Sequence, residues 1–94
     1  FRVGGEEFAA ILNIQKSDNV DSFIVKLLKN IEDLNIEHKG NPPFGVLTIS
    51  CGVTVANFAQ ISKPLSTDDI YKMVDDELYK AKRDGKNRVS SLYI

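Results

Sequence analysis

Gly4-Gly5-Glu6-Glu7-Phe8 places two carboxylates directly after two residues that carry no side chain. A glycine pair lets a phosphate or a base approach the backbone closely. Its amides can donate hydrogen bonds to an anion. Carboxylates beside it can hold Mg²⁺, which takes oxygen ligands and bridges phosphate oxygens. The group is a candidate metal site for a nucleoside triphosphate. It is equally a hairpin tip followed by two solvated acids, and these five residues alone leave both readings open. Lys82 and Lys86, with Arg88 close behind, are the second group. They can compensate a helix dipole, or grip the outer phosphates of a nucleotide as point charges. One hypothesis joins the two groups: acids place a metal while lysines neutralise the phosphate tail, the parts that phosphoryl-type transfer needs.

The elements that must position these groups follow from the hydrophobic pattern. Phe1-Arg2-Val3 reads as the end of a strand and Glu6–Ile14 as the next, with Gly4-Gly5 as a two-residue turn. That register sets Val3 opposite Glu6 and sends Glu6 and Glu7 to opposite faces. Val20, Phe23, Ile24, Leu27, Leu28, Ile31 and Leu34 recur at helical spacing. Ser17 or Asp18 is the expected cap, and Gly40 with Pro42-Pro43 the expected stop. Val46–Ala56 alternates as a strand, with Leu47, Ile49, Cys51, Val53 and Val55 on one face and the small Thr48, Ser50, Gly52 and Thr54 on the other. A second helix starts at Ser66, buries Ile70, Met73, Val74, Leu78 and Ala81, and ends at Gly85. Arg88–Ile94 is the closing strand. Strand, strand, helix, strand, helix, strand is an α+β order with helices packed on the faces of a sheet.

Ninety-four residues, 43% hydrophobic and 27% charged, make one domain of ordinary globular composition. No apolar run is long enough to span a bilayer. A net charge of −1 lacks the basic surplus of a nucleic-acid binder. The lone Cys51 cannot form an internal disulfide, which suits a reducing compartment, and on an apolar strand face it reads as a small hydrophobe. His38 has no partner at metal-ligand spacing and reads as solvated, while Tyr71 and Tyr79 read as core or rim packing. The chain starts at Phe1 with the hydrophobic pattern already running, so a piece of a longer protein is expected.

Three stretches carry a resemblance. Phe1-Arg2-Val3-Gly4-Gly5-Glu6-Glu7-Phe8 is similar to the signature of GGDEF domains, the diguanylate cyclases, in its GGEEF form. Leu47-Thr48-Ile49-Ser50-Cys51-Gly52-Val53 resembles the family's V-T-x-S-x-G-V strand. Asp75, Leu78, Tyr79, Ala81, Lys82, Gly85, Asn87, Arg88 and Val89 follow its closing pattern. The resemblance implies an antiparallel-mixed sheet like that of nucleotide cyclases and polymerase palms, incomplete here because the N-terminal strand and helices are absent. Residues 1–94 would be the C-terminal portion of a single GGDEF domain. The implied reaction condenses two GTP into cyclic di-GMP plus pyrophosphate, with Mg²⁺ or Mn²⁺, between two domains of a homodimer, in bacterial signalling. A cytoplasmic location follows, with no nucleic-acid partner and no membrane contact by this segment.

Carried onto this sequence, the resemblance makes Gly4 and Gly5 the turn over the phosphates. Glu6 becomes a metal ligand that helps deprotonate the ribose 3′-hydroxyl. Glu7 supports metal binding or catalysis, and Lys82 and Lys86 contact the phosphates. Lys86 stands where the family often has Arg, Glu77 replaces a common Ala, and Cys51 replaces a larger aliphatic residue. The family's first metal Asp, its guanine-reading Asn and Asp and its R-x-x-D inhibitory motif have no counterpart in these 94 residues, so the segment alone is expected to be inactive. The family's first strand lies centrally, between the second hairpin strand and the 47–55 strand. A split sheet, or a gap filled by strand exchange with another chain, is therefore expected. The alternative is a degenerate module that binds GTP or mediates dimerisation without catalysis.

Overall fold

Gly52 decides how the layers meet. In the computed structural model, which describes residues 1–15 and 19–94, a Cβ at Gly52 would lie 2.3 Å from the Leu78 amide nitrogen and 2.5 Å from the Val74 carbonyl oxygen. The small face expected of this strand is thus the face on which a helix backbone rests. The elements are β1 (Arg2–Gly4), β2 (Glu7–Phe8), α1 (Val20–Asp33), β3 (Cys51–Val55), α2 (Thr67–Arg83) and β4 (Val89–Tyr93). The chain is α+β, with two small sheets and two helices. β3 and β4 are parallel, paired from Cys51↔Val89 to Val55↔Tyr93. Parallel neighbours need a crossover between them, and α2 supplies it.

Partners in that register point to the same side of the sheet. Ser90, opposite Gly52, faces α2 and donates to Glu77 Oε2. Ser91, one residue on, faces the other way and donates to Asp21 Oδ1 of α1 at 2.8 Å. Tyr93 joins it, donating to Asp21 Oδ2 at 3.0 Å. That bond to a carboxylate holds the Tyr93 hydroxyl above its ordinary pKa. The two helices therefore lie on opposite faces of the β3–β4 pair.

The sheet is split, as expected: β1–β2 and β3–β4 are separate two-stranded sheets. The hairpin register differs from the expected one. Gly4 pairs with Glu7 and Arg2 with Phe8, so Val3 is an extra, bulged residue and the turn is Gly5-Glu6. Only Gly5 needs a positive φ there, +54°, and Arg2 Nε braces it by donating to the Gly5 carbonyl at 2.9 Å. The expected strand to Ile14 stops at Phe8. Ala9 still exchanges hydrogen bonds with Phe1, but no described residue continues the ladder, and Ile11 is 91% exposed. Likewise Val46–Ala56 shortens to Cys51–Val55. Before Cys51, the pairing partner Val89 has run out, and Val46 instead bridges back to Glu37.

The helix boundaries show which local signals act. Asn19 caps α1, its side chain accepting from Ser22 N; the expected caps Ser17 and Asp18 lie outside the described residues. α1 stops well before Gly40 and the prolines, because Asn35 turns left-handed at φ +55°, a conformation Asn tolerates. Ile24 and Leu28 of its stripe are buried, while Phe23, Leu27 and Leu34 stay largely exposed. Glu32, off the apolar stripe, accepts from Asn87 Nδ2. α2 opens with a capping box in which Ser66 and Asp69 bond reciprocally; the bond donated by the Ser66 backbone amide, and then the Ser66 side chain, hold the Asp69 carboxyl below its usual range. Of its expected stripe, Ala81 is buried and Ile70, Met73, Val74 and Leu78 are half-buried. The unexpected buried group is Glu77, 3% exposed. Hydrogen bonds from Ser90 and Lys80 satisfy it and hold its pKa below the ordinary carboxylate value, against the opposing effect of burial. Cys51 is half-buried, and burial pushes its thiol pKa up, as suits a packing residue rather than a thiolate. Tyr79, expected at the core or rim, is exposed.

Two outcomes follow. Gly52→Ala should lower stability by at least about 2 kcal/mol, because backbone atoms rather than flexible side-chain ends must move. Gly4→Ala, with nothing within 4 Å of the new Cβ, should change it by under about 1 kcal/mol. Urea midpoints of both variants check this. For Glu77, the folded pKa is lower than the unfolded one. Its stabilisation is complete above the unfolded value, about 4.3, and is lost as pH falls through the folded value. Urea midpoints measured against pH should fall on acidification below about 4.3, with a shallower fall in Glu77→Gln.

Candidate functional site

The β1–β2 hairpin meets the body of the molecule along one stripe of α2. Tyr71, Asp75, Leu78 and Lys82 are spaced i, i+4, i+7 and i+11, so one side of the helix carries all four. Tyr71, Asp75 and Leu78 line a shallow groove with Val3, Glu7 and Phe8 of the hairpin. At its end, Lys82 Nζ lies 3.5 Å from Glu7 Oε1. The helix end and the turn, 75 residues apart in sequence, are thus joined by an ion pair between two of the expected site residues. Their side chains are 45% and 42% exposed, so the pair contributes only about 0.2–1 kcal/mol. It is weak enough for a ligand to displace.

Glu6 and Glu7 occupy different surroundings, as the alternation argument required, though by another register. Glu6 sits in the turn, exposed, with no ion-pair or hydrogen-bond partner among the described residues. Glu7 is in the ladder, half-buried and turned to α2. Gly4 and Gly5 have open space where a Cβ would stand, so a ligand can reach their backbone. Lys86 makes no ion pair or hydrogen bond to the hairpin among the described residues. α2 ends at Arg83, Gly85 follows with φ +128°, and Lys86 is itself left-handed at φ +63°. Its amide closes the turn by donating to the Ala81 carbonyl at 3.0 Å, the long bond of a Schellman motif. The ammonium stands on the exposed loop past the helix end.

Two carboxylates are hard oxygen donors of the kind Mg²⁺ takes, and no described group of three or more His, Cys, Asp or Glu side chains could hold a metal. Glu6 and Glu7 are the hairpin carboxylates that could offer oxygen ligands to a divalent ion. His38 is exposed and belongs to no such group. Sequence reading missed Asp75 and Tyr71 as groove residues. The stripe they form with Lys82 was available as a spacing signal, but nothing marked which flank of the helix the hairpin would meet. A larger open cleft of roughly 320 Å³, between α1 and the start of β4, is lined by none of the expected site residues.

Comparison with known proteins bears on this arrangement. The family model for "Diguanylate cyclase, GGDEF domain" matches residues 1–88. The chain belongs to the GGDEF family. GGDEF relatives include "Diguanylate cyclase DgcM" of Escherichia coli (strain K12), 38% identical over 89 residues and 95% of this chain. "Probable diguanylate cyclase DgcT" of the same strain is 32% identical over 91 residues and 94% of the chain. "Diguanylate cyclase A" of Treponema denticola is 33% identical over 89 residues and 95% of the chain. The chain spans about a fifth of the length of these GGDEF relatives, 19% of both Escherichia coli proteins and 22% of the Treponema one. No solved structure matches the chain. Among the described residues, no helix is long and apolar enough to cross a membrane.

The loop after α2 gives a direct check on how the lysines are placed. Gly85→Ala puts a side chain at positive φ and against the Arg88 guanidinium, 2.7 Å away. It should cost about 1 kcal/mol or more of stability. Thermal or urea unfolding of the variant measures this, and an unchanged midpoint would show that the left-handed cap is not required.

Proposed function

We propose that residues 1–94 form the C-terminal portion of one GGDEF domain in a diguanylate cyclase. That enzyme condenses two molecules of GTP into cyclic di-GMP and pyrophosphate. In this reading Glu6 and Glu7 hold a divalent ion, Mg²⁺ or Mn²⁺. Such an ion would supply Lewis-acid neutralisation of phosphate charge beside these carboxylates. Gly4 and Gly5 leave the backbone open to the phosphates. Lys82 contributes an ammonium from the helix end, and Lys86 reaches the outer phosphates from the loop beyond it. Glu6, without an ion-pair partner among the described residues, is the carboxylate available to draw the proton from a ribose 3′-hydroxyl, while Glu7 is paired with Lys82.

The observation that carries the reading is the Glu7–Lys82 contact of 3.5 Å. It supports the site because a carboxylate suited to a metal and a lysine suited to phosphate converge from elements 75 residues apart in sequence. Two GTP molecules must be presented to each other, so the active form is a homodimer of domains. The 94 residues alone should be inactive, since they carry no counterpart of the family's first metal Asp or its guanine-reading residues. The unpaired outer edges of β2 and β3 among the described residues support one more strand between the two sheets, taken from another segment or by strand exchange from a second copy.

The test is a calorimetric titration of Mg²⁺·GTP into the full-length protein and its Glu6→Ala variant. The variant should bind at least about tenfold more weakly, about 1.4 kcal/mol. Equal binding by the two proteins would remove Glu6 from the metal site.

A further inference from the structure

From the Glu7–Lys82 ion pair we infer that Lys82 is a positioning residue as well as a phosphate contact: before any ligand arrives, it occupies the carboxylate that the metal will take. The inference rests on the reading of Glu6 and Glu7 as the metal site. The two β2 residues belong to a two-stranded hairpin that meets α2 along the groove lined by Val3, Glu7 and Phe8 with Tyr71, Asp75 and Leu78. The side-chain contact at 3.5 Å orients Glu7 towards α2. A dication on the same carboxylate would share it with the Lys82 ammonium, and like charges repel. Metal binding must therefore loosen the pair. A phosphate that takes the ammonium loosens the same pair from its other side.

The consequence is a coupling between cation and anion that does not depend on their touching. Whichever arrives first breaks the ion pair, and the second then binds without that opposition. By linkage the effect is reciprocal. Removing either partner should mimic the first ligand. Lys82→Gln should tighten Mn²⁺ binding in the absence of nucleotide, and Glu7→Gln should tighten pyrophosphate binding in the absence of metal. An exposed pair of this kind sets the size of the effect at about two- to fivefold. Simple loss of a nearby charge works in the same direction. Two controls carry that background: Lys86→Gln, whose lysine has no ion-pair partner among the described residues, and Glu6→Gln, whose carboxylate is equally unpaired.

The experiment is Mn²⁺ binding to the full-length protein, followed by loss of the free-ion electron paramagnetic resonance signal. Calorimetry of pyrophosphate in chelator-treated protein supplies the reciprocal measurement. Lys82→Gln should bind Mn²⁺ about two- to fivefold more tightly than the natural protein, with Lys82→Arg restoring the natural value and Lys86→Gln shifting it less. Glu7→Gln should bind pyrophosphate more tightly than Glu6→Gln does. Equal shifts in Lys82→Gln and Lys86→Gln, or weaker Mn²⁺ binding in Lys82→Gln, would overturn the inference while leaving the metal site standing. The metal-site reading itself fails separately, if Mn²⁺ affinity is unaltered in both Glu6→Gln and Glu7→Gln.

Discussion

The close approach of α2 to β3 at Gly52 sets the position of the α2 groups in the candidate site. With no side chain at that point, the helix backbone lies directly on the strand. That contact fixes the rotation of α2 about its axis. Ala81 and Glu77 turn to the sheet and become buried. Tyr71, Asp75 and Lys82 are left along the flank, where the hairpin meets them. A bulkier residue at 52 would lift or rotate the helix, and the ammonium at the far end of the stripe would move with it. The placement of Lys82 at the candidate site thus follows from a packing contact on the adjoining face of the same helix, with Leu78 at the edge of both.

Burial of Glu77 follows from the same rotation. A carboxylate under the helix is tolerable because Ser90 on β4 and Lys80 on α2 both donate to it. Buried acids without such partners are costly. Nothing in α2 alone reveals this, since at that spacing Glu77 reads as an acid beside an apolar stripe. Its partner lies 13 residues away on a strand whose register only the fold supplies. Periodicity did reveal both helices, the small face of β3 and the glycine stop of α2, because those features are local. The hairpin register was not legible. Two adjacent glycines offer two turn positions, and the bulge at Val3 that selects Gly5-Glu6 depends on pairing across the strands. The long strands expected at Glu6–Ile14 and Val46–Ala56 shorten to Glu7–Phe8 and Cys51–Val55, because alternation marks a possible strand face but a ladder needs a neighbour, and the described residues offer none beyond those ends.

The open surfaces are of a piece with this. Only Ile24, Leu28 and Ala81 form a buried apolar core among the described residues. The radius of gyration, 14.5 Å, exceeds the about 12 Å expected of a compact chain of this length. Phe23, Leu27 and Leu34 of α1 and Ile11 and Leu12 after β2 remain exposed. Within the GGDEF family this chain corresponds to about a fifth of each relative's length. The candidate site is formed at the junction of the two best-defined local motifs, the bare turn and the helix end.

Paramagnetic broadening tests the site most directly. With Mn²⁺ and a non-hydrolysable GTP analogue bound to the full-length protein, the amide resonances of Gly5, Glu6, Glu7 and Lys82 should broaden together, ahead of all others in residues 1–94. Broadening centred on another region, with those four amides unchanged, would contradict the account.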